Sequence, residues 1–346
     1  MGVTHSANVS FNPSTDIPSL KGKVILITGA SSGLGKQSVL ELSKHEPKEI
    51  WVASRQISKA LEVIKELKEL GHNYQIMKPI EIDLGSMNSV AKAARYFVQA
   101  QQMQTQSSPR LDILMLNAGI MAVPPSVTKD GFEIQFGTNY LGHTFLVHEL
   151  LPLLVDTAHR QQQKEGRAPG SDDVRVILLS SVAHRYAPSG GINFGSLKGC
   201  AEEMGTVARY GQSKLAMILY GQELAKRYLE FKVAIVHPGQ VKTNLGNTAS
   251  ANSLVMRLLW KLTSVFNGVG PETGVLNQLW AATVDSVQSG EYYDPVGVVS
   301  RQRSKYTSDG KLAVDLWNWT THNLHMYEES FQVQEGPSMQ LSRALD

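Results

Sequence analysis

Short apolar segments alternate with amphipathic ones from Lys23 onward, and the alternation predicts strands and helices in turn. The predicted strands are KVILIT (23–28), EIWVAS (49–54), YQIMKPIEID (74–83), LDILMLN (111–117), VRVILLSS (174–181) and KVAIVH (232–237). The predicted helices cover 33–45, 57–70, about 87–103, about 131–159 and a stretch from Tyr210 to about Leu229. Because the strands are apolar throughout, helices are expected on both faces of the sheet. The pattern therefore predicts an α/β fold, a doubly wound parallel sheet in three layers, with ligands outside the carboxyl ends of the strands.

The chain is predicted to form a single domain, because no internal repeat and no linker divides it. The predicted parts are an N-terminal extension over 1–20, the domain over 21–331 and a polar C-terminal tail over 332–346. The first 20 residues lack the basic start and apolar run of a signal peptide, although Gly2 and Ser6 match the myristoylation pattern. No run of about 18 apolar residues occurs, so no transmembrane helix is expected.

Composition narrows the classes of partner. The formal net charge is +2 and no cluster of Lys and Arg stands out, so nucleic acid is not an expected partner. With 42% hydrophobic residues, the chain can bury a substantial core. A single cysteine, Cys200, excludes an intramolecular disulfide and a Cys-rich metal site. No metal is therefore predicted, and a reducing, cytoplasmic location is expected.

The segment TGASSGLG (28–35) falls where the first strand meets the first helix. Gly29, Gly33 and Gly35 would let the backbone turn tightly and approach a phosphate, whose charge the helix N-terminus favours. The spacing is Gly-x-x-x-Gly-x-Gly rather than Gly-x-Gly-x-x-Gly, and an ordinary strand–helix turn is the alternative. The position of the segment on the first β–α turn favours a dinucleotide site.

The end of the second strand indicates which dinucleotide binds. An acidic residue there would bind the ribose 2′-hydroxyl of NAD, whereas an Arg accommodates the 2′-phosphate of NADP. The sequence VASRQISK has Ser54 and Arg55 at this point and no acid, and Lys36 and Lys59 add positive charge nearby. The predicted cofactor is therefore NADP(H), and a solvated Arg at a strand end is the alternative.

Three Tyr-x-x-x-Lys pairs occur, so the spacing alone does not identify a catalytic pair: Tyr74/Lys78, Tyr210/Lys214 and Tyr228/Lys232. Residues four apart in a strand lie about 13 Å apart, which excludes the pair that opens the third predicted strand. Tyr228 lies where a helix should give way to a strand. Tyr210 sits near the start of a long helix, which places Lys214 one turn beyond it. It also follows a strand that ends in Ser180 and Ser181, so this pair is the candidate acid–base pair.

Taken in order, these segments resemble the motifs of the short-chain dehydrogenase/reductase family, which has the Rossmann fold. TGASSGLG is similar to its cofactor turn, Asn117-Ala118-Gly119 to its strand-four motif, and HPGQVKT (237–243) to its segment along the nicotinamide and pyrophosphate. The residues that match its catalytic tetrad are Asn139, Ser181, Tyr210 and Lys214. The resemblance covers roughly residues 20–300. RQISKALE, FGTNYLGH, SSVAHRYAP and SLVMRLLWKLTSVF are most similar to the retinol-dehydrogenase-like branch, which includes WW-domain oxidoreductases and many fungal relatives.

The resemblance also implies a role for each matched residue. Tyr210 would donate a proton to the substrate carbonyl as hydride arrives, and Lys214 would lower the pKa of that tyrosine and bind the nicotinamide ribose. Ser181 would hydrogen-bond the substrate oxygen, with Ser180 as its competitor, and Asn139 would hold a water that relays protons. The cofactor-binding set comprises Thr28, Gly29, Ser31, Ser32, Gly33, Leu34, Gly35, Arg55, Lys59, Asp83, Leu84, Asn117, Ala118, Gly119, Tyr210, Lys214, Pro238, Gly239, Val241 and Thr243. Within it, Asp83 resembles the acid that contacts adenine, and capping of the following helix is its alternative.

Two segments are expected to wall the substrate pocket. Residues 182–209 are longer than the equivalent segment of compact relatives, and 245–270 matches the family's helical lid. The apolar character of the lid favours a lipophilic ketone, aldehyde or alcohol, while core packing and contact with a membrane surface are its alternatives. The predicted function is an NADP(H)-dependent ketone or aldehyde reductase. A non-catalytic NADP(H) sensor or scaffold, and an epimerase or dehydratase, are the rival functions. In the family, homo-oligomers form through helices equivalent to 131–159 and 210–229.

Overall fold

The computed structural model describes residues 10–104, 108–165, 174–239, 241 and 269–335. Its strands are β1 (Val24–Thr28), β2 (Glu49–Ser54), β3 (Met77–Glu81), β4 (Ile113–Leu116), β5 (Arg175–Leu179), β6 (Lys232–Val236), β7 (Tyr292–Asp294) and β8 (Val298–Val299). In this part of the chain they form one sheet in the order β3-β2-β1-β4-β5-β6-β7-β8. Neighbouring strands are parallel except β7 and β8, which are antiparallel. The predicted doubly wound sheet is confirmed.

Helices cover both faces of this sheet. They are α1 (Pro13–Asp16), α2 (Gly33–Leu42), α3 (Ile57–Glu69), α4 (Met87–Gln104), α5 (Ile134–Phe136), α6 (Gly142–Glu165), α7 (Thr206–Arg227), α8 (Pro271–Gly274), α9 (Leu276–Thr283) and α10 (Gly310–Glu335). The buried side chains of α2, α3 and α9 belong to one hydrophobic core, and those of α4, α6 and α7 to another. The molecule therefore has three layers.

The two cores explain why the central strands β1 and β4 are buried at every position. Along β1, Val24 and Leu26 pack into the core beneath α4, α6 and α7, whereas Ile25 and Ile27 pack into the core beneath α2 and α3. Successive side chains of a strand point to opposite faces of the sheet. Only a strand that is apolar at every position can serve both cores.

Two predicted elements differ from the structure. The predicted strand over 74–83 begins as a 3₁₀ turn at Tyr74–Ile76 and is a strand only over Met77–Glu81, because the Asn73 side chain accepts from the Gln75 N–H and turns the chain. The predicted helix over about 131–159 begins at Ile134, widens into a π turn at Gly137–Leu141 and continues as α6. The elements β7, β8 and α10 lie beyond the predicted ones.

The C-terminal helix α10 packs against both α6 and α7. Phe145 of α6 meets Tyr327 edge-on with 5.3 Å between ring centroids, and Tyr220 of α7 stacks on Trp317 at the same separation. The two helices on which subunit contacts are expected are therefore both in contact with the chain's own C-terminal helix.

Several predicted boundaries stay predictions. Ile17 and Leu20, in the predicted extension over 1–20, are buried in the core, and α10 runs past residue 331 to Glu335. Nearly all of the predicted lid over 245–270, most of the tail over 332–346, and Gly2 and Ser6 lie outside the described residues. Among the described helices, none has the length and apolar character needed to cross a membrane.

Candidate active site

The predicted site residues gather at the carboxyl edge of the sheet. Thr28 ends β1, Asn117 follows β4 and Ser181 follows β5. Lys214 reaches the same edge from α7, where its Nζ donates to the backbone carbonyl of Leu179, the last residue of β5, at 2.9 Å. Because the central strands are parallel, their carboxyl ends bring together segments that are distant in the sequence.

Close backbone approach requires glycine in the turn between β1 and α2. Gly29 has a φ of +65°, and a Cβ there would lie 2.8 Å from a backbone atom of the strand-four motif. A Cβ on Gly35 would lie 2.3 Å from the Gly29 carbonyl oxygen. Asn117 fixes the turn, since its Nδ2 donates to the Thr28 carbonyl at 2.9 Å. Ser32, the N-cap of α2, makes no side-chain cap, so the turn and the uncapped helix start fit a dinucleotide phosphate.

Arg55 lies beside this turn, directly after β2. It is exposed and has neither a hydrogen bond nor an ion pair with any described residue. The neighbouring lysines are engaged: Lys59 pairs with Glu62 at 2.7 Å and Lys36 with Glu66 at 2.6 Å. Arg55 could thus hold a 2′-phosphate without breaking a hydrogen bond or ion pair to any part of the chain that the structure describes.

Asp83 follows β3, and its carboxylate is bound by the protein. Its Oδ2 lies 3.0 Å from the Nζ of Lys129, and its Oδ1 accepts from the Gly85 N–H at 3.1 Å. The start of α4 is bonded by another residue, Asp130, whose Oδ2 accepts from the Met87 N–H at 2.9 Å. Capping of α4 by Asp83 is therefore not what the structure shows, because Asp83 turns its oxygens toward Gly85 and Lys129. Its contact with adenine stays a prediction.

Ser181, Tyr210 and Lys214 lie together. The Ser181 side chain lies near enough to the Tyr210 hydroxyl to act against the rise of its pKa, and the Nζ of Lys214 lies 5.7 Å from the centroid of the Tyr210 ring. Ser180 faces away, since its buried Oγ donates to the Lys214 carbonyl at 2.8 Å. Of the two serines, only Ser181 has its hydroxyl at the tyrosine.

The other two Tyr-x-x-x-Lys pairs do not form such a cluster. Tyr74 is exposed in its 3₁₀ turn, and the lysine over its ring is Lys68, with 4.5 Å between Nζ and the centroid. Tyr228 is the C-cap of α7, and Lys232 begins β6. Neither lies at the carboxyl edge of the sheet.

Asn139, in the π turn before α6, joins the loop after β4 to α7. Its Oδ1 accepts from the Ile120 N–H at 2.7 Å, and its Nδ2 donates to the Ile120 carbonyl at 2.9 Å and to Ser213 Oγ at 3.0 Å. A Cβ on Gly119 would lie 3.3 Å from Asn139 Oδ1 and 3.6 Å from Lys214 Nζ. The tetrad asparagine therefore lies beside the lysine, with its side chain bound by protein groups.

Burial dominates the acid–base properties of the pair. It raises the pKa of Tyr210 to about 12, opposed by the Ser181 side chain, and it lowers the pKa of Lys214 to about 8. Tyr210 keeps part of its surface accessible although protein atoms surround its hydroxyl, while Lys214 is only 5% exposed. The expected lowering of the Tyr210 pKa by Lys214 stays a prediction, because in the protein's own groups burial is the largest influence on that pKa and raises it.

Ser181 is held by His184, a residue of the segment SSVAHRYAP that the catalytic tetrad does not include. It is the N-cap of a 3₁₀ turn, and its Oγ accepts from the Ala183 N–H at 3.2 Å. The Nδ1 of His184 donates to the Ser181 carbonyl at 2.7 Å, and its Nε2 accepts from the Ser304 N–H at 3.3 Å. The turn that carries Ser181 is thereby joined to the chain after β8.

Pro238, Gly239 and Val241 follow β6 at the same edge. Gly239 has a φ of +83°, and Val241 forms a parallel bridge with Val269. Thr243 lies outside the described residues.

Two amide side chains of α9, Asn277 and Gln278, hydrogen-bond to neighbouring elements near this edge. Asn277 Nδ2 donates to the carbonyls of His237 at 2.7 Å and Tyr293 at 3.0 Å. Gln278 Nε2 donates to Ser38 Oγ of α2 at 2.6 Å. The signal for both is the polar pair within the apolar run VLNQLWAA, since amides buried in such a run need partners. No group of three or more His, Cys, Asp or Glu side chains in the described ranges is placed to hold a metal ion.

Comparisons with known proteins agree with this geometry. The family profile described as short chain dehydrogenase matches residues 23–183. The short-chain dehydrogenase/reductase drtF of Aspergillus calidoustus is 36% identical over 324 residues, 90% of this chain and 96% of that protein. Retinol dehydrogenase 12 of Mus musculus is 34% identical over 306 residues, 86% of this chain and 85% of that protein. An uncharacterized protein of known structure from Mycobacterium paratuberculosis is 26% identical, with a TM-score of 0.65 over 92% of this chain and 98% of that chain.

Proposed function

The chain belongs to the short-chain dehydrogenase/reductase family as a retinol-dehydrogenase-like oxidoreductase, and we propose that it is an NADP(H)-dependent reductase of lipophilic ketones or aldehydes. The observation that carries the proposal is the convergence of Ser181, Tyr210 and Lys214 at the carboxyl edge of the sheet. Two hydroxyls and a buried cation at one edge would suit a carbonyl oxygen that becomes a hydroxyl.

Binding of the dinucleotide follows from the groups at that edge. The cofactor supplies the hydride. The glycine turn and the start of α2 would hold its pyrophosphate, and Arg55 would hold the 2′-phosphate. Lys214 would bind the nicotinamide ribose, because its ammonium has three donors and, among the described residues, only the Leu179 carbonyl accepts from it.

Proton transfer falls to Tyr210. With a pKa of about 12 it is protonated at neutral pH and can donate to the substrate oxygen in the reductive direction. Lys214 is charged below pH 8 and would favour the phenolate left behind. Ser181 would donate a hydrogen bond to the oxygen as negative charge develops on it. The relay of protons through a water at Asn139 stays a prediction.

The substrate class is supported by two observations outside the described site. Relatives such as retinol dehydrogenase 12 are named for a lipophilic alcohol, and the segment SLVMRLLWKLTSVF of the predicted lid is apolar. Reduction is the proposed direction, because NADPH generally serves reduction in cells. A cytoplasmic location stays a prediction.

A cofactor and carbonyl panel tests the proposal. NADPH and NADH would be tested against hexanal, decanal, a steroid ketone and all-trans-retinal, and NADP⁺ against all-trans-retinol. We expect NADPH consumption with at least one lipophilic carbonyl. Tight NADPH binding without turnover across the panel would overturn the reductase and favour the non-catalytic sensor.

A further inference from the structure

His143 lies between the cofactor turn and the tetrad asparagine, although no catalytic motif includes it. Its Nε2 is 2.8 Å from Thr28 Oγ1 at the end of β1, and its Nδ1 is 2.9 Å from the Asn139 carbonyl oxygen. The side chain is completely buried. One imidazole therefore bridges two parts of the site that are more than 100 residues apart in sequence.

The partners determine where the imidazole carries its proton. A carbonyl oxygen only accepts, so Nδ1 must donate to Asn139. The Thr28 hydroxyl oxygen already accepts from the Asn117 and Ala118 N–H groups, at 2.9 and 3.0 Å, and its own proton needs an acceptor. His143 Nε2 at 2.8 Å is nearer than the alternative, the Met115 carbonyl at 3.4 Å. The hydrogen bonds thus run in one direction, from the strand-four motif through Thr28 and His143 to Asn139.

Local packing keeps this imidazole in place. Gly142, which precedes it, lets α6 approach the end of β3 so closely that a Cβ would lie 2.2 Å from the Leu84 carbonyl oxygen. Burial lowers the pKa of His143 to about 3, so the ring stays neutral and its Nε2 remains an acceptor. No change of protonation near neutral pH interrupts the bridge.

We propose that His143 is a positioning residue that couples the cofactor turn at Thr28 to the catalytic turn at Asn139. Its Nε2 holds the Thr28 hydroxyl, on which the Asn117 and Ala118 N–H groups converge, and its Nδ1–H holds the Asn139 carbonyl beside Lys214. The inference rests on the proposed function. Loss of the hydrogen bond at Nε2 should weaken binding of the cofactor, and loss of the hydrogen bond at Nδ1 should slow turnover.

Two substitutions separate the two sides of the ring. An Asn amide nitrogen lies near the position of Nδ1, and a Gln carbonyl oxygen lies near that of Nε2. His143→Asn keeps the donor to Asn139 and loses the acceptor for Thr28, so the Kd for NADPH should rise about tenfold with kcat changed less than about twofold. His143→Gln keeps the acceptor and loses the donor, so kcat should fall about tenfold while the Kd stays within about twofold. NADPH fluorescence titration gives the Kd, and turnover of decanal or the fastest carbonyl of the panel gives kcat.

A histidine with only a structural role would not make one substitution change mainly Kd and the other mainly kcat. If both variants lose thermal stability alone, or change Kd and kcat together in the same proportion, the proposal is wrong. Should either variant fail to fold, Thr28→Val and the double variant Thr28→Val/His143→Asn replace it. Because His143 Nε2 acts on the cofactor turn through the Thr28 hydroxyl, the two should have the same Kd for NADPH; a further loss of binding in the double variant would overturn the bridge. Binding is measured without turnover, so a wild-type protein that reduces no carbonyl would refute the proposed function and leave the coupling at Thr28 testable.

Discussion

Arg209, the residue before Tyr210, forms a buried ion pair with Glu133. The Nη1 of Arg209 lies 2.9 Å from Glu133 Oε1, with side chains 1% and 0% exposed. Arg209 Nη2 also donates to the Val123 carbonyl at 3.0 Å, and its Nε donates to the Met204 carbonyl at 3.2 Å. The pair therefore fixes the start of α7 to the loop after β4 and to the long segment before Tyr210.

Removal of one partner should leave a buried charge without compensation. Arg209→Met is expected to lower the free energy of unfolding by about 3–5 kcal/mol, measured by urea denaturation. Adding Glu133→Gln should recover part of this loss, because the neutral amide can still accept from the Phe136 N–H that Glu133 Oε2 now binds. Lys226→Met is the control: Lys226 is 62% exposed in its pair with Glu223, so a change below about 1 kcal/mol is expected. A loss of similar size in Arg209→Met and Lys226→Met would contradict the account.

Tyr210→Phe should abolish proton donation without disturbing the fold. Reductive kcat should fall by about 10²–10⁴, the usual contribution of a positioned acid, with NADPH binding retained. Tyr228→Phe is the matched control, since that tyrosine has the same spacing to a lysine but caps the far end of α7. The assignment fails if the two variants keep equal activity.

The activity should fall at high pH through Lys214 rather than Tyr210. Because the pKa of Lys214 is lowered to about 8, kcat/KM for NADPH, which reports the free protein, should decline above pH 8 as the ammonium loses its proton. Tyr210, with a pKa of about 12, stays protonated throughout this range. A profile that is flat to pH 10 would show that the charge of Lys214 is not needed.

The same shift links stability to pH. The pKa of Lys214 falls from the ordinary 10.5 to about 8, so between these values the unfolded chain binds more protons than the folded protein. This group alone should therefore raise the free energy of unfolding as pH rises from about 8 to 10.5, by on the order of 3 kcal/mol. Below pH 8 the full cost of burying the charge is present. Urea unfolding of wild type and Lys214→Met across this range isolates the effect, and parallel pH curves would refute it.

Arg55→Ala should change the preference between cofactors. Loss of a hydrogen-bonded charge pair with the 2′-phosphate should raise KM for NADPH by roughly 10–100-fold, while KM for NADH changes little. Lys59→Ala tests whether any nearby cation would serve; Lys59 pairs with Glu62, so a smaller effect is expected. Equal KM ratios in wild type and Arg55→Ala would mean that Arg55 does not distinguish the two dinucleotides.

The central architecture follows from local pattern. Strand β2 has the predicted bounds, because its six positions are all buried and the four central ones, 50–53, are a continuous apolar run in the sequence. The glycine turn, too, can be predicted, since backbone approaches below 3 Å at Gly29 and Gly35 admit only glycine there. These features depend on neighbours in the chain or on a strict steric limit.

Long-range polar contacts could not be predicted in the same way. Arg209 meets Glu133 across 76 residues, and Gln278 meets Ser38 across 240. His143 reaches Thr28 across 115. The apolar run around Gln278 indicates that this amide is buried, but no local pattern identifies the partner of any of these residues, because the packing of helices on the sheet selects it. The lowered pKa of Lys214 has the same origin, since burial and not sequence neighbours causes it.

Helix α10 packs against α6 and α7 within one chain, so it covers part of their surface without a second subunit. When a second subunit covers such faces, mass action makes the unfolding midpoint depend on protein concentration. Here α10 belongs to the same chain, so its effective concentration is fixed. It contacts the two helices through Trp317 on Tyr220 and Tyr327 on Phe145. Dilution therefore leaves these two ring contacts in place, because both partners of each contact belong to the same chain.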